Sequence, residues 1–281
     1  MKRLLLLLLA AAPLSALPLQ NPMLSTMFSD GLICEDSCGA AFFGLFDVRL
    51  GFYGDYVYNT HMKVKRPGNS GNVRKTSVMT NAGEVTVNFC NFDVFATVGA
   101  TNIDVLLGTR SLATSGTDQN NLLEITTDAG TSWSVGGRWA IWDCGAFGLG
   151  IEGQYFSASP SLNSLIGYAR AEPIYFNGQD VNYRAWQVGL GVNWMIPITE
   201  CYSLNPYWGG FWTDSKMTFG NATALISGFS NVNVQLFDIE KNRQYGWAFG
   251  VTWLNAGLAT ITAEGRWAGE KAAFLSGQIQ Y

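Results

Sequence analysis

Residues 245–253 read Tyr-Gly-Trp-Ala-Phe-Gly-Val-Thr-Trp and alternate strictly between two kinds of side chain. The odd positions are large and apolar or aromatic, and the even positions are small or polar. Because successive side chains of a β-strand point to opposite faces, such a strand has one face made only of bulky groups. Residues 186–194 repeat the pattern, with Trp186 and Trp194 at its two ends. Both stretches predict strands with one strongly apolar face.

The distance between the two tryptophans favours a membrane over a protein interior. They are eight residues apart, which corresponds to about 26 Å in an extended strand. Outer-membrane barrels have an apolar band about 25 Å tall between two girdles of aromatic side chains. A soluble sandwich also alternates, but it turns its apolar face inward. The pattern therefore predicts an all-β fold, a closed antiparallel transmembrane β-barrel.

The composition agrees with a lipid-facing protein. Charged residues make up 14% of the chain, against about 25% in soluble domains. Aromatic residues account for another 14%, and there are 32 glycines. The net charge of -4 is mild and argues against a nucleic-acid partner, since such domains are usually basic.

The first residues are typical of an export signal. Lys2 and Arg3 precede an apolar run over 4–12, and Ala16 is a candidate cleavage point. The run is too short to span a bilayer as an anchor. We therefore expect a signal peptide over 1–16, an irregular segment over 17–43 and a barrel over 44–281.

The alternating segments predict about twelve strands, with a range of roughly 12 to 16, each near the length that a spanning strand needs. Two of these strands are predicted near 216–225 and 231–241. Long polar connections are expected over 59–82 and 157–180 and short turns between the other strands, as on the two sides of an outer-membrane barrel. The alternation is hardest to follow over 102–129. This stretch forms either a loop or one more hairpin near 121–127.

A small set of charged residues falls on the predicted inner faces. We expect them to line a pore and to set its ion selectivity. Equally, they can be paired charges that hold the walls of the lumen together. Their signs are nearly balanced, so strong selectivity does not follow. The candidates are Asp47, Arg49, Asp55, Arg138, Glu152, Glu264 and Arg266.

Five cysteines are candidates for disulfides, because an exported chain enters a compartment that permits them. Their odd number leaves at least one to stay free or to pair with another chain. Zinc binding by the first two is a weak alternative, since no further ligands complete a site. We expect no metal and no cofactor. The cysteines are Cys34, Cys38, Cys90, Cys144 and Cys201.

Catalysis is disfavoured by what the chain lacks. A serine hydrolase normally needs a histidine base, and the single histidine, His61, falls in a predicted polar loop. The Gly-x-Ser-x-Gly elbow is absent. A basic group between Lys63 and Lys75 is read as a solvated loop, with binding to an acidic surface as the less favoured alternative.

Several collinear segments resemble one family, the chlamydial major outer membrane proteins. The segments are 17–22, 51–57, 92–101, 132–144 and 183–187. The resemblance implies a trimeric general porin that is cross-linked by disulfides into an outer-membrane complex. This chain is much shorter than a typical member and has fewer cysteines, which weakens the expectation of both the trimer and the cross-links.

We therefore predict an outer-membrane porin of a Gram-negative-type bacterium, whose partners are membrane lipid and small hydrophilic solutes. The alternative is a structural or adhesive surface protein with an occluded barrel, disulfide-linked to neighbouring envelope proteins. A soluble secreted β-sandwich is the third possibility. A narrow barrel can be filled by its own side chains, so the content of the lumen decides between the first two.

Overall fold

A computed structural model describes residues 17–25, 47–65, 72–89, 91–109, 121–167, 174–225, 232–235, 238–255 and 258–280. In chain order the first strands are β1 (Asp47–Thr60), β2 (Met62–Val64), β3 (Asn72–Phe89), β4 (Phe92–Thr109), β5 (Asn121–Thr127), β6 (Gly130–Asp143), β7 (Phe147–Ser159), β8 (Ser161–Gly167) and β9 (Ile174–Trp194). The others are β10 (Ile196–Pro197), β11 (Tyr202–Phe219), β12 (Asn221–Leu225), β13 (Val232–Gln235), β14 (Ile239–Lys241), β15 (Tyr245–Asn255), β16 (Ala259–Trp267) and β17 (Glu270–Gln280).

Ten of the described strands close a ring by antiparallel pairing. Neighbours around it are β1, β3, β4, β6, β7, β9, β11, β15, β16 and β17, and β17 pairs back onto β1. The predicted closed antiparallel barrel is confirmed, because the ring leaves no unpaired edge. The ring has ten strands where about twelve were expected. The segments near 216–225 and 231–241, which we counted as separate spanning strands, instead extend β11 or form the short strands β12 to β14.

The inner and outer faces follow the alternation of the sequence. Trp194, Phe249 and Leu190 point outward, with 50%, 49% and 49% of their surfaces exposed. These exposures are too large for a protein core and fit contact with lipid. Neighbouring aromatic rings stack on this outer surface, as between Trp208 and Trp247, whose centroids are 5.4 Å apart. The bulky faces therefore do not meet each other inside the protein.

The two ends of the barrel differ in their connections. We call the end with the connections 90–91, 144–146, 195–201 and 256–258 the turn end, and the opposite end the loop end. Short turns face the periplasm in this class of barrel. The expected polar loop over 59–82 was wrong in its second half, where β3 already begins at Asn72. Likewise β8 and the start of β9 occupy parts of the expected loop 157–180. In both segments the polar residues pair through the backbone and therefore continue the sheet where a loop was expected.

The hairpin considered near 121–127 corresponds to β5, which pairs with β4 and with β8. The predicted signal segment 1–16 and the cysteines Cys34, Cys38 and Cys90 lie outside the described residues.

Among the residues that the structure describes, no helix is long and apolar enough to cross a bilayer.

Candidate functional site: the barrel lumen

All seven predicted inner charges do point into the barrel, where each is at most 9% exposed. Four further buried charges share the interior: Glu84, Asp93, Lys241 and Glu270. Among the described residues the buried charged side chains are therefore seven acids and four bases. If every group carries its usual charge, the interior has a net charge of three negative units.

The first of two charge clusters is organised by Arg138 on β6. Its Nε lies 3.2 Å from Glu152 on β7, its Nη2 3.0 Å from Glu84 on β3, and its Nη1 3.5 Å from Asp93 on β4. Asp93 also accepts a hydrogen bond from Arg49 on β1. The guanidinium lies over the ring of Phe95, 4.4 Å from its centroid. We call Arg49, Glu84, Asp93, Arg138 and Glu152 the Arg138 cluster.

The second cluster is organised by Arg266 on β16. Its Nη2 donates to Asp55 on β1, and its Nε lies 2.9 Å from Glu270 on β17. Glu270 is also 3.3 Å from the Nζ of Lys241 on β14. We call Asp55, Lys241, Glu264, Arg266 and Glu270 the Arg266 cluster. Glu264 Oε2 also accepts a 2.7 Å hydrogen bond from Tyr207. Asp47 faces the interior nearer the turn end.

Small polar side chains cover much of the rest of the inner wall. Hydrogen bonds join Thr97 to Ser134 at 2.6 Å and Thr252 to Thr262 at 3.0 Å, between neighbouring strands. Other buried polar atoms in the described lumen have no protein partner: Glu84 Oε2, Ser132 Oγ, Glu152 Oε1, Gln187 Nε2, Asn205 Oδ1 and Thr213 Oγ1. Buried polar groups normally bond to protein or to water. This inner wall therefore offers several sites that only water or a solute can satisfy.

The chain before the barrel lies inside it, which the sequence did not predict. Residues 17–25, which we call the N-terminal segment, are all buried. The backbone N–H of Leu17 donates to Gln187 Oε1 at 2.9 Å, and that of Leu19 to Glu264 Oε1 at 3.0 Å. At the turn end, Ser25 Oγ donates to the carbonyl of Asn91 at 3.0 Å. Leu17, Leu19, Met23 and Leu24 are apolar, so their side chains do not predict placement in a polar lumen.

Toward the loop end the interior becomes apolar. Buried apolar side chains from most of the ring and from short loop-end strands pack together there, and Leu17 of the N-terminal segment joins them. Among them are Val57, Ile103, Phe156, Tyr183 and Met217. The lumen is thus polar toward the turn end, and toward the loop end it contains packed apolar side chains beside the buried Lys241–Glu270 pair.

His61 lies at the loop end, between β1 and β2. Burial lowers the pKa of its imidazole, and the positive charges of Arg243, Lys241 and Lys271 lower it further. Its backbone carbonyl accepts a 2.8 Å hydrogen bond from the N–H of Asn242.

Two cysteines fall among the described residues. Cys144 is a free, exposed thiol in the turn after β6, and Cys201 is disulfide-bonded in the connection before β11. Within the described ranges no group of three or more histidine, cysteine or acidic residues is arranged to hold a metal ion.

The sequence matches the model of one protein family over residues 1–69 and 66–180, and that family is described as Chlamydia major outer membrane protein. The chain belongs to this family. Membership places it in the outer membrane, in agreement with the exposed aromatic faces of the ring, and the family resemblance noted from the sequence is confirmed.

Among curated proteins, a major outer membrane porin of Chlamydia pneumoniae is 28% identical over 376 aligned positions, covering 95% of each chain. One from Chlamydia psittaci is 27% identical, covering 97% of this chain and 96% of its own. The 376 positions exceed the 281 residues of this chain by 95, so this family member lacks many residues that its relative has. Among solved structures, the outer membrane protease OmpT of Escherichia coli aligns with a TM-score of 0.41 and 11% identity, covering 84% of this chain and 93% of that one.

Proposed function

We propose that this protein is a porin that lets small hydrophilic solutes and ions diffuse passively across the outer membrane. The observation that carries the proposal is the inner wall. It is polar on every ring strand toward the turn end, and it buries polar atoms that find no partner in the described protein. Each such atom costs about 1–3 kcal/mol when it stays dry. A water-filled lumen removes this cost, whereas an interior built only for stability would use apolar side chains.

The seven inner charges predicted from the sequence then act as pore-lining residues in an open state. Ions lose part of their hydration in a narrow passage, and fixed charges compensate that loss for one sign of ion. The Arg138 cluster and the Arg266 cluster each bring acids from several strands toward one cation. Catalysis is not part of the proposal, since the single histidine lies beyond these clusters at the loop end.

The described conformation is closed at the level of the clusters. Arg49, Arg138 and Glu84 have side chains with no exposed surface, so no open water path touches them. This closure favours the second candidate, a structural surface barrel with a permanently filled lumen. The two candidates differ in whether the interior ever opens.

Current measurements in planar bilayers separate the candidates. The folded protein, checked by its heat-dependent mobility on gels, is expected to give discrete current steps. Swelling of proteoliposomes in small sugars and amino acids should accompany them. If neither the full chain nor a folded chain lacking residues 17–25 conducts, the porin proposal is rejected and the structural barrel remains.

A further inference from the structure

We propose that the N-terminal segment is the gate of the channel: it closes the lumen by lying in a trough of glycines, and it leaves the trough when the channel opens. The proposal rests on the porin function proposed above and adds its regulation. The trough consists of five inward-facing glycines on three adjacent strands, Gly148 and Gly150 on β7, Gly189 and Gly191 on β9, and Gly209 on β11.

The trough has room for the segment only because its residues have no side chains. A Cβ atom on Gly189 would lie 2.0 Å from Leu19 Cδ1, and one on Gly209 would lie 2.4 Å from Leu19 Cδ2. A Cβ on Gly148 would lie 2.4 Å from Met23 Cε. Pro22 covers the remaining two glycines in the same way. Since carbon atoms pack no closer than about 3.5 Å at their optimum, the wall and the segment are shaped for each other.

The segment also reaches the strands on both sides of the trough and contacts both charge clusters. From the trough, the Leu19 N–H donates to Glu264 on β16, a member of the Arg266 cluster. The side-chain oxygen of Gln20 accepts from Arg138, at the centre of the other cluster. Asn21 Nδ2 lies 3.1 Å from Asn193 Oδ1 and 3.3 Å from Thr252 Oγ1. These contacts and those of the trough run over six adjacent ring strands, from β6 to β16. On the far side Asn88 on β3 bonds to Ser25, so the segment occupies the lumen that these strands enclose.

The way in which the segment is held allows it to leave. It is not a strand of the ring, and the bonds from Leu17, Leu19 and Asn21 go to side chains of the wall. Its departure therefore breaks no strand pairing. Gln20 has a φ of 50°, a backbone conformation that residues other than glycine rarely adopt. The contact with Arg138 accompanies this strained turn, and the turn can relax once that contact is broken.

The anchor of the gate lies at the turn end. Ser25 Oγ donates to the Asn91 carbonyl, and Asn88 Nδ2 donates to the Ser25 carbonyl at 2.9 Å. Both partners flank the turn between β3 and β4. The segment can thus swing out of the polar lumen about this point. Leu17 would be withdrawn from the apolar cluster at the loop end in the same movement.

The central experiment fills the trough. We compare the full chain, the double variant Gly150→Ala and Gly189→Ala, and the control Gly265→Ala on β16, where a Cβ atom would meet nothing within 4 Å. In the double variant the atoms that each new Cβ would meet first belong to the segment, Pro22 O at 2.6 Å and Leu19 Cδ1 at 2.0 Å. In planar bilayers the double variant should be open at least about tenfold more often than the parent, because extra atoms in a close-packed site disfavour the packed state. The control should behave like the parent. If all three conduct alike, the gate is rejected while the porin function stands.

A second measurement reads the position of the segment without using current. Asn21→Cys is introduced into the parent and into the double variant, and a membrane-impermeant maleimide is added to folded protein in vesicles. The labelling rate at position 21 is obtained by subtracting the rate measured in the chains without this substitution. It should be about tenfold higher in the double variant than in the parent, since overpacking favours release of the segment. Equal labelling rates contradict the gate. Faster labelling with no current in either chain shows that the segment moves without opening a conducting path, and it rejects both proposals.

Leu19→Gly provides a variant that does not alter the barrel wall. It removes the side chain that lies between Gly189 and Gly209 and should also raise open time and labelling. It therefore tests the gate if the double variant fails to fold. A Leu19→Gly chain that opens and labels like the parent would contradict the proposal independently.

Discussion

Arg138 and Glu84 are paired at 3.0 Å although the strands that carry them are not neighbours. Arg138 lies on β6 and Glu84 on β3. Strand β4 lies between these two strands and pairs with both. The contact therefore runs inside the curve of the barrel wall. It holds together three strands that backbone hydrogen bonds already connect, and it does so with both side chains fully buried.

Replacing Arg138 by methionine should strongly destabilise the barrel. The change leaves Glu84 and Glu152 buried without the cation that faces them, and breaking such a pair typically costs about 3–5 kcal/mol. Urea unfolding of the protein in lipid vesicles, followed by tryptophan fluorescence, measures the loss. Lys63→Met is the matched control, because it breaks an exposed pair with Glu240 at 3.4 Å and should cost under about 1 kcal/mol. Equal losses would contradict the central role of Arg138.

The surplus of acids in the lumen should give the open channel a preference for cations. Seven buried acids face four buried bases in the described interior, and fixed charge selects ions of the opposite sign. The zero-current potential across a KCl gradient measures this preference. Glu84→Gln should reduce it, whereas Glu240→Gln, at the loop end and partly exposed, should leave it unchanged. A preference for anions in the parent would contradict the charge count.

The period of the sequence predicted which face each charge occupies, but not how many charges share the lumen. Asp47 and Arg49 were found because their neighbours Val48 and Leu50 are plainly apolar, and Asp55 because it lies an even number of residues from them on the same strand. Glu84 and Asp93 follow the same rule beside Val85 and Val94, and strict use of the alternation would have found them. Lys241 and Glu270 lie at the loop end, Lys241 on the three-residue strand β14 and Glu270 as the first residue of β17, so little alternation surrounds either of them.

Other features needed the three-dimensional arrangement. The number of ring strands was overestimated because an alternating segment looks the same whether it spans the membrane or extends a strand beyond it. The trough could not be predicted, since glycines such as Gly189 and Gly209 become one surface only when β9 and β11 pair. The placement of residues 17–25 depends on that surface and was missed for the same reason.

Tyr207→Phe should weaken the barrel through one hydrogen bond. The Tyr207 hydroxyl donates to Glu264 Oε2 at 2.7 Å, and both residues are buried. Loss of a hydrogen bond to a buried acceptor costs about 1–3 kcal/mol, measured by the same urea unfolding. Tyr202→Phe is the control, because Tyr202 lies on the outer surface, 40% exposed, and stacks on Trp253 through its ring. A loss as large in the control would show that the hydroxyl of Tyr207 has no special role.

The two described cysteines should differ in reactivity. Cys144 is a free, exposed thiol and should react with a maleimide in the folded, non-reduced protein. Cys201 is disulfide-bonded and should react only after reduction. Mass spectrometry of peptides containing each residue checks both statements, and Cys144→Ser identifies the first signal. Non-reducing gels of the parent and of Cys144→Ser then show whether this thiol links neighbouring chains. Labelling of Cys201 without reduction would contradict the disulfide.

A charge placed on the outer face should reveal the depth of each position in the bilayer. Leu190 lies on the outer face of β9, midway between Trp186 and Trp194. Its side chain is 49% exposed, and it pairs with Ile151 and Gly210. Leu190→Arg should cost about 2–4 kcal/mol of folding free energy in lipid, as lipid-facing charges do near the midplane. Ile198, 60% exposed in the turn-end connection, is the control, and Ile198→Arg should cost at most about 1 kcal/mol near the interface. The physical reason is that an arginine at the turn end reaches water, whereas one at position 190 must draw water or headgroups into hydrocarbon. Equal costs at the two positions would mean that the outer face does not lie in a membrane.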